Sequence, residues 1–285
     1  LEAWKPFFCT PGVTFVSLQY GDTRQEIEDF RSSHDFEILC ESGLDPLTDL
    51  EGHLAQIGAM DLVISTSNTA AHAAGSMGIT TWCLLSEKLG DGLRWQWFYE
   101  LDRSPWYNRT HLYRQVRRND WSEPVANATI DLVKYRASQD HTFNACEHLL
   151  QLSLDHWRSG QINAMGLFAH EAVLEGSKSA AAYQNVAKWL CLREEPGDAL
   201  KTIDYAINNH GLAKDSGLRL ERAACLMQLD RFEEATKDLL VAFDEMKVDT
   251  SYWLQLCQTY RLAGHSSDAM NAVDAALELS PNNNK

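Results

Sequence analysis

The second half of the chain alternates large and small apolar residues with helical spacing. In its last unit, two amphipathic segments flank a turn at Gly264. The apolar, small and turn positions of this unit are Trp253, Leu256, Cys257, Tyr260, Ala269, Val273, Ala276 and Pro281. Small residues let paired helices approach closely, while large residues fill the groove of the next pair. The pattern therefore predicts a helical hairpin that stacks on similar neighbours.

The same pattern returns about every 34 residues towards the amino terminus, which is the repeat length of tetratricopeptide units. The next unit uses Arg219, Ala223, Leu226, Ala235, Leu239 and Ala242. The unit before it uses Tyr183, Val186, Ala187, Leu190, Ala199, Ile203 and Ala206. A weaker first unit uses Leu152, Gly160, Ala164 and Phe168. We therefore predict an all-α solenoid of about four tetratricopeptide-type repeats over residues 141–285.

Residues 1–140 follow a different rhythm, in which short β-branched runs alternate with longer segments of helical spacing. The predicted strands are Val13–Leu18, Phe36–Leu39, Asp61–Ser65, Thr80–Leu85 and His111–Arg114. The predicted helices are Thr23–Ser33, Leu47–Ala59, Thr69–Met77 and Trp121–Tyr135. Such alternation is typical of a parallel sheet covered by helices. The expected architecture is an α/β, Rossmann-like doubly wound domain, joined to the repeats by the polar segment Arg136–Asn144.

The composition fits a globular protein with a substantial core, since 45% of its residues are hydrophobic and 23% are charged. The formal net charge of −15 argues against nucleic-acid binding, because phosphate contacts need clustered Lys and Arg. No apolar run reaches the roughly 18 residues of a membrane span. Seven cysteines are far apart among apolar neighbours and are predicted to be reduced, buried thiols, which favours a cytoplasmic location. The histidine spacing predicts no metal site.

Two polar loops follow predicted strands, at the sheet edge where open parallel sheets bind ligands. The first contains Gln19 and Gly21, and the glycine permits close approach to a ligand. The second runs from Ser65 to His72 and leads into a helix of small residues. Its hydroxyl and amide groups, with the helix-end N–H groups, can hold a phosphate or diphosphate. An ordinary helix N-cap with extra polar residues is the alternative.

The segment Asp61–Gly78, followed by Thr81–Leu85, resembles the nucleotide-sugar-binding half of heptosyltransferase-like glycosyltransferases of family 9. Further on, Ser104–Tyr107 and His111–Gln115 are similar to the end of that half in bacterial proteins that carry tetratricopeptide repeats. The resemblance spans about residues 15–132. It implies that residues 1–140 form the carboxy-terminal half of a GT-B fold.

The resemblance implies a nucleotide-diphosphate sugar as donor, bound at the Ser65–His72 loop, with no further cofactor. The implied diphosphate-binding residues are Ser67, Asn68, Thr69 and His72. The implied residues of the opposite lip are Gln19 and Gly21, and Arg94 is a further candidate for that lip. The family's acceptor side and catalytic base belong to an amino-terminal domain, which would have to precede Leu1, so the catalytic residues are unknown. With that domain, an inverting hexosyl or heptosyl transfer is expected. Without it, the chain would bind a donor while the repeats recruit a protein or glycan acceptor.

The alternative is a non-catalytic scaffold in which the first half is a degenerate glycosyltransferase domain and the repeats bind a protein or peptide. Asn185, Asn208 and Asn209 are candidates for an asparagine ladder that holds a peptide, or else belong to a solvated helix face. Likewise, His72 is either a ligand contact or a packing histidine. The aromatic residues Trp95, Trp97, Trp106 and Tyr107 either stack on a base or sugar or pack a loop onto the sheet.

Overall fold

The computed structural model of the chain describes residues 1–21, 23–34, 36–41, 43–87, 97–98, 100–243 and 250–279. The chain divides into two compact units, Leu1–His148 and Leu149–Lys285. Strands occur in the first unit, and the described part of the second unit is built from helices. The chain is therefore mostly helical, with a small amount of parallel sheet.

Short parallel strands form two small sheets in the described part of the first unit. The strands are β1 (Phe15–Val16), β2 (Ile38–Leu39), β3 (Leu62–Thr66), β4 (Thr80–Leu85) and β5 (Thr110–Arg114). One sheet pairs β1 with β2, and the other has the order β3-β4-β5. The predicted strands are thus present, but the single doubly wound sheet of a Rossmann-like domain is not formed among the described residues. β1 and β2 contribute two residues each and pair with each other in the smaller sheet.

The helices of the first unit pack around these sheets. They are α1 (Lys5–Phe8), α2 (Arg24–Ser33), α3 (Leu50–Gly58), α4 (Thr69–Ser76) and α5 (Ser122–Gln139). Asp49 caps α3, because its carboxylate accepts a hydrogen bond from the Gly52 N–H at 2.8 Å. Helix α5 continues to Gln139, so the segment predicted as a polar junction begins inside a helix, where Arg136 pairs with Asp140 at 2.7 Å.

Strand β4 is apolar on both faces because helices cover both sides of the three-stranded sheet. Trp82 and Leu84 lie in one core cluster with Val125 of α5. The residues that alternate with them, Cys83 and Leu85, lie in a second cluster on the opposite face, together with Ala71 of α4. A strand buried on both faces reads as a continuous apolar run, which is the pattern that the sequence carries here.

Helical hairpins follow from Ala145 onwards, as predicted. The pairs are α6 (Ala145–Arg158) with α7 (Ile162–Leu174), α8 (Ala180–Leu192) with α9 (Pro196–Asn209), α10 (Ser216–Gln228) with α11 (Phe232–Phe243), and α12 (Thr250–Leu262) with α13 (Ser266–Leu279). Alanines predicted at the helix contacts are buried, among them Ala199, Ala206, Ala235 and Ala242. These small side chains allow the helices to pack closely.

One turn geometry recurs in all four hairpins. Two residues after each first helix, the backbone enters the left-handed region, at Gly160 (φ 73°), Glu194 (φ 63°), Asp230 (φ 58°) and Gly264 (φ 84°). The N–H of the next residue then donates to a carbonyl five positions earlier, at 2.9 Å in each hairpin. The shared geometry identifies the hairpins as repeats of one unit, in agreement with the periodicity of the sequence.

Candidate functional site

The Ser65–His72 loop joins β3 to α4, and its amide side chain caps the helix. Asn68 is the N-cap residue of α4, and its Oδ1 accepts a hydrogen bond from the Ala71 N–H at 3.2 Å. The same oxygen accepts a second hydrogen bond from the Ser65 hydroxyl at 3.0 Å. Asn68 therefore has the N-cap role that the sequence left open as the alternative to ligand binding.

The hydroxyl of Ser67 is engaged by a buried tryptophan. Trp97 Nε1 donates to Ser67 Oγ at 2.8 Å, and the Trp97 side chain is fully buried. Arg114 of β5 holds the backbone around this tryptophan, because its guanidinium donates to the Trp97 carbonyl at 2.7 Å and also to the Phe98 carbonyl. Ser67 thus satisfies a buried indole donor, which would otherwise carry a desolvation cost.

His72 packs between two aromatic rings. Its Nδ1 lies 3.0 Å from the Tyr107 hydroxyl, and its ring stacks on Trp97 with centroids 4.8 Å apart. Gly75, one turn further along α4, leaves room for the Tyr107 ring, which lies 2.7 Å from the point where a side-chain carbon on this glycine would stand. Partial burial lowers the pKa of His72 from 6.5. The imidazole, Trp97 and Tyr107 therefore pack this loop onto the sheet.

Of the remaining predicted donor residues, the structure describes Thr69, Gln19 and Gly21. Thr69, the first residue of α4, is exposed. Gln19 and Gly21 line a cleft of about 410 Å³ together with residues 40, 41 and 43–47, and no described residue of the Ser65–His72 loop lines that cleft. Arg94 and Trp95 lie outside the described residues. Trp106 is exposed at 56%, unlike the buried Trp97.

Three further properties of the described ranges concern metal ligands, membrane-spanning helices and cysteines. Nowhere in them do three or more His, Cys, Asp or Glu side chains gather in a way that could hold a metal ion. None of the helices there combines the length and the apolar character needed to cross a bilayer. All seven cysteines lie in the described ranges as free thiols, but only Cys83 and Cys225 are buried and Cys40 is exposed, which corrects the prediction of buried thiols.

A row of side chains connects the first helices of three successive hairpins. Trp157 of α6 is 43% exposed, and the Lys188 ammonium of α8 lies 4.4 Å from the centroid of its ring. Lys188 Nζ also lies 3.3 Å from Glu221 Oε1 of α10. Burial raises the pKa of Glu221, and the nearby Lys188 opposes that rise. We call Trp157, Lys188 and Glu221 the first-helix row.

The asparagine ladder expected on the repeats is not formed. Asn185 is buried and donates to Ser153 Oγ at 3.0 Å, so it ties α8 to α6 and is neither solvated nor open to a peptide. Asn208 and Asn209 are exposed near the end of α9, where Asn209 donates to the Tyr205 carbonyl at 2.9 Å. The first-helix row was missed by sequence reasoning, because its members differ in residue type and only the packing of three helices aligns them.

Comparison with known proteins gives one curated relative. No known protein-family profile matches the chain. Protein FlbA of Caulobacter vibrioides is 30% identical over 135 residues, a match that covers 47% of this chain and 22% of FlbA. The chain therefore spans only a minor part of the relative that it matches.

Several solved structures are similar to about half of the chain. YrrB, a tetratricopeptide protein with an unusual peptide-binding site, is 14% identical with a TM-score of 0.45, covering 55% of this chain and 79% of its own. A structure of MamA is 17% identical with a TM-score of 0.45, and the match covers 55% of this chain and 83% of the MamA chain. TTC0263, a tetratricopeptide protein of Thermus thermophilus, is 17% identical with a TM-score of 0.40, covering 56% and 85%. Likeness at this level carries no functional argument, so the repeat assignment rests on the shared turn geometry.

The resemblance to glycosyltransferases of family 9 is wrong. The relatives found are FlbA and tetratricopeptide proteins, and none of those named is a glycosyltransferase. The motif misled because a polar N-cap followed by small residues also suits a helix that packs closely on a sheet, as α4 does here. The resemblance was the basis for expecting a nucleotide-sugar donor, a sugar transfer and a GT-B half, so these expectations are not kept. Ligand binding by Ser67, Asn68, Thr69, His72, Gln19, Gly21 and Arg94 stays an untested prediction.

Proposed function

We propose that the repeats are an interaction module that binds a protein or peptide segment across the first helices of successive hairpins. The supporting observation is the first-helix row, which places an aromatic ring and a charged pair on three neighbouring helices. Stacked repeats provide extended surfaces on which a partner contacts several units at once. This is the scaffold function that the sequence offered as its alternative.

Trp157 is the expected anchor of such a partner. Tryptophan is enriched among the residues that dominate binding energy, provided that the partner buries its ring. The Lys188 ammonium lies over the Trp157 ring and holds the ring in place. The exposed part of the Trp157 side chain remains for a partner to cover. Lys188 and Glu221 can both exchange their mutual pairing for contacts with a partner's backbone or charges.

A cytoplasmic location stays a prediction from the cysteine spacing.

The test is a selection of random peptides displayed on phage against the purified chain. Peptides that bind are then titrated against wild type, Trp157→Ala and Tyr205→Ala. Tyr205 is the matched control, since it is an aromatic residue exposed at 54% on α9, a second helix. We expect Trp157→Ala to weaken binding by about tenfold or more, and Tyr205→Ala to leave it nearly unchanged. Circular dichroism checks that both variants fold.

Two outcomes would count against the proposal. One is a selection that yields no peptide with measurable affinity in solution. The other is a set of peptides whose affinity is indifferent to Trp157→Ala, which would move the binding surface away from the first-helix row.

A further inference from the structure

Two cysteine sulfurs lie in contact between consecutive repeats. Cys191 Sγ of α8 and Cys225 Sγ of α10 are 3.1 Å apart. The S–S bond of a disulfide is about 2.05 Å long, so only a shift of about 1 Å separates this pair from bonding distance. The two residues belong to the second and third hairpins, 34 positions apart in sequence. The two sulfurs are therefore positioned next to each other at the contact between these hairpins.

The two thiols differ in the properties that decide which of them reacts first. Cys225 is fully buried, whereas Cys191 is partly exposed. The hydrogen bond between the two thiols lowers the pKa of Cys191, against the opposing effects of burial and of the Glu221 carboxylate. The same hydrogen bond, together with burial, raises the pKa of Cys225. The thiolate is the reactive form, so Cys191 is the group that a solution oxidant reaches.

We propose that Cys191 and Cys225 form a reversible disulfide that joins the second hairpin to the third. The oxidant is a small-molecule disulfide of the glutathione type. The Cys191 thiolate attacks one sulfur of that disulfide, forms a mixed disulfide and releases one small thiolate. The Cys225 sulfur then attacks the Cys191 sulfur, and the second small thiol leaves with the proton of Cys225. Two protein thiols are oxidised while one small disulfide is reduced to two thiols.

This modification goes beyond partner binding, and its consequence is local stiffening. Lys188 and Glu221 already pair α8 with α10, and the disulfide would add a covalent link between the same two helices. A cross-link restricts the unfolded chain and opposes separation of the hairpins. Oxidation should therefore fix the two helices that carry Lys188 and Glu221 of the first-helix row.

The test incubates the purified chain with defined ratios of reduced and oxidised glutathione. The reaction is stopped by alkylation and the products are analysed by peptide mass spectrometry. We expect a cross-linked peptide pair containing Cys191 and Cys225, with the loss of two hydrogens, that disappears on addition of dithiothreitol. The thermal unfolding midpoint of the oxidised chain should rise by several degrees, and reduction should reverse the rise.

Single substitutions separate the two steps. Cys225→Ala should stop the reaction at a glutathione adduct on Cys191, whereas Cys191→Ala should leave the buried Cys225 unmodified. Cys257→Ala, in α12, is the matched control and should retain the cross-link. Exposed Cys40 reports whether the oxidant is active. Glutathione addition at Cys40 without a Cys191–Cys225 cross-link in the wild-type chain would overturn the proposal, as would cross-links from Cys191 to several cysteines in similar yield.

Discussion

The ring of Trp189 lies where a side-chain carbon on Gly166 would stand, so α7 and α8 approach to a distance that only glycine allows at this point. Both residues are in helices, and Gly166 is buried. The contact joins the second helix of one hairpin to the first helix of the next. A residue without a side chain is therefore required for the stacking of these two repeats.

Gly166→Ala should destabilise the chain. The added methyl group overlaps the Trp189 ring, and overpacking a close helix contact costs about 1–3 kcal/mol. That loss should exceed the gain in helix propensity that alanine brings, which is about 1 kcal/mol at most. The free energy of unfolding from urea titration measures the difference.

Gly197→Ala is the control for this substitution. Gly197 lies in the first turn of α9, and a side-chain carbon there meets open space. The stability of the Gly197→Ala variant should equal or exceed that of wild type, because alanine is favoured over glycine in a helix. Equal losses at both positions would show that the Trp189 contact is not the cause.

Glu194 and Asp230 occupy the left-handed turn position that is glycine in the other two hairpins. A non-glycine residue there is strained, whereas glycine adopts the conformation freely. Glu194→Gly and Asp230→Gly should therefore each stabilise the chain by about 0.5–1 kcal/mol. Gly160→Ala, the reverse change in the first hairpin, should destabilise it by a similar amount. Urea titrations of the three variants provide the check, and a loss of stability on Glu194→Gly would contradict this account of the turn.

The same turn shows what the sequence could and could not predict about the repeats. Alternating large and small residues predicted the hairpins because helix packing sets that alternation directly. At Glu194 and Asp230, however, local preference favours other conformations, and the flanking helices impose the left-handed one. The turn geometry there could be inferred only by aligning these units with those that carry Gly160 and Gly264.

The first unit shows which contacts of the candidate site could be predicted from the sequence and which could not. Asn68 as a helix cap could be predicted, because capping depends on residues within one turn. The contact of Ser67 with Trp97 and that of His72 with Tyr107 join residues 30 and 35 positions apart. Such contacts depend on the fold of the intervening chain, so they could not be predicted from the sequence of the loop. The resemblance to glycosyltransferases misled because its motif includes the residues that pack α4 on the sheet.

Asp238 should be among the most sensitive positions of the repeats. Its buried carboxylate lies 2.6 Å from the guanidinium groups of both Arg219 and Arg222, which hold α11 against α10. Removing one member of a buried ion-pair network leaves the remaining charges without compensation and costs about 3–5 kcal/mol. Asp238→Asn should therefore lower the free energy of unfolding by several kcal/mol. Urea titration measures the change.

Asp155→Asn is the matched control for Asp238. Asp155 pairs with Arg158 at 2.8 Å on the surface of α6, where both side chains are at least half exposed. Exposed pairs of this kind contribute about 0.5 kcal/mol or less. If Asp238→Asn is no more harmful than Asp155→Asn, the buried network does not stabilise the third hairpin.

His72 should titrate below its ordinary pKa of 6.5 in the folded chain, because partial burial disfavours the imidazolium. A folded-state pKa below the unfolded value means that protonation favours unfolding. The contribution of His72 to stability is therefore fully present above pH 6.5 and is lost as the pH falls through the folded pKa.

Ring-proton NMR titration of wild type measures the pKa of His72. In Tyr107→Phe, which removes the hydroxyl but keeps a ring over His72, the pKa should remain lowered, since burial causes the shift. A pKa of 6.5 or higher in wild type would contradict the packing of His72 between Trp97 and Tyr107, and recovery to 6.5 in Tyr107→Phe would assign the shift to the hydroxyl instead.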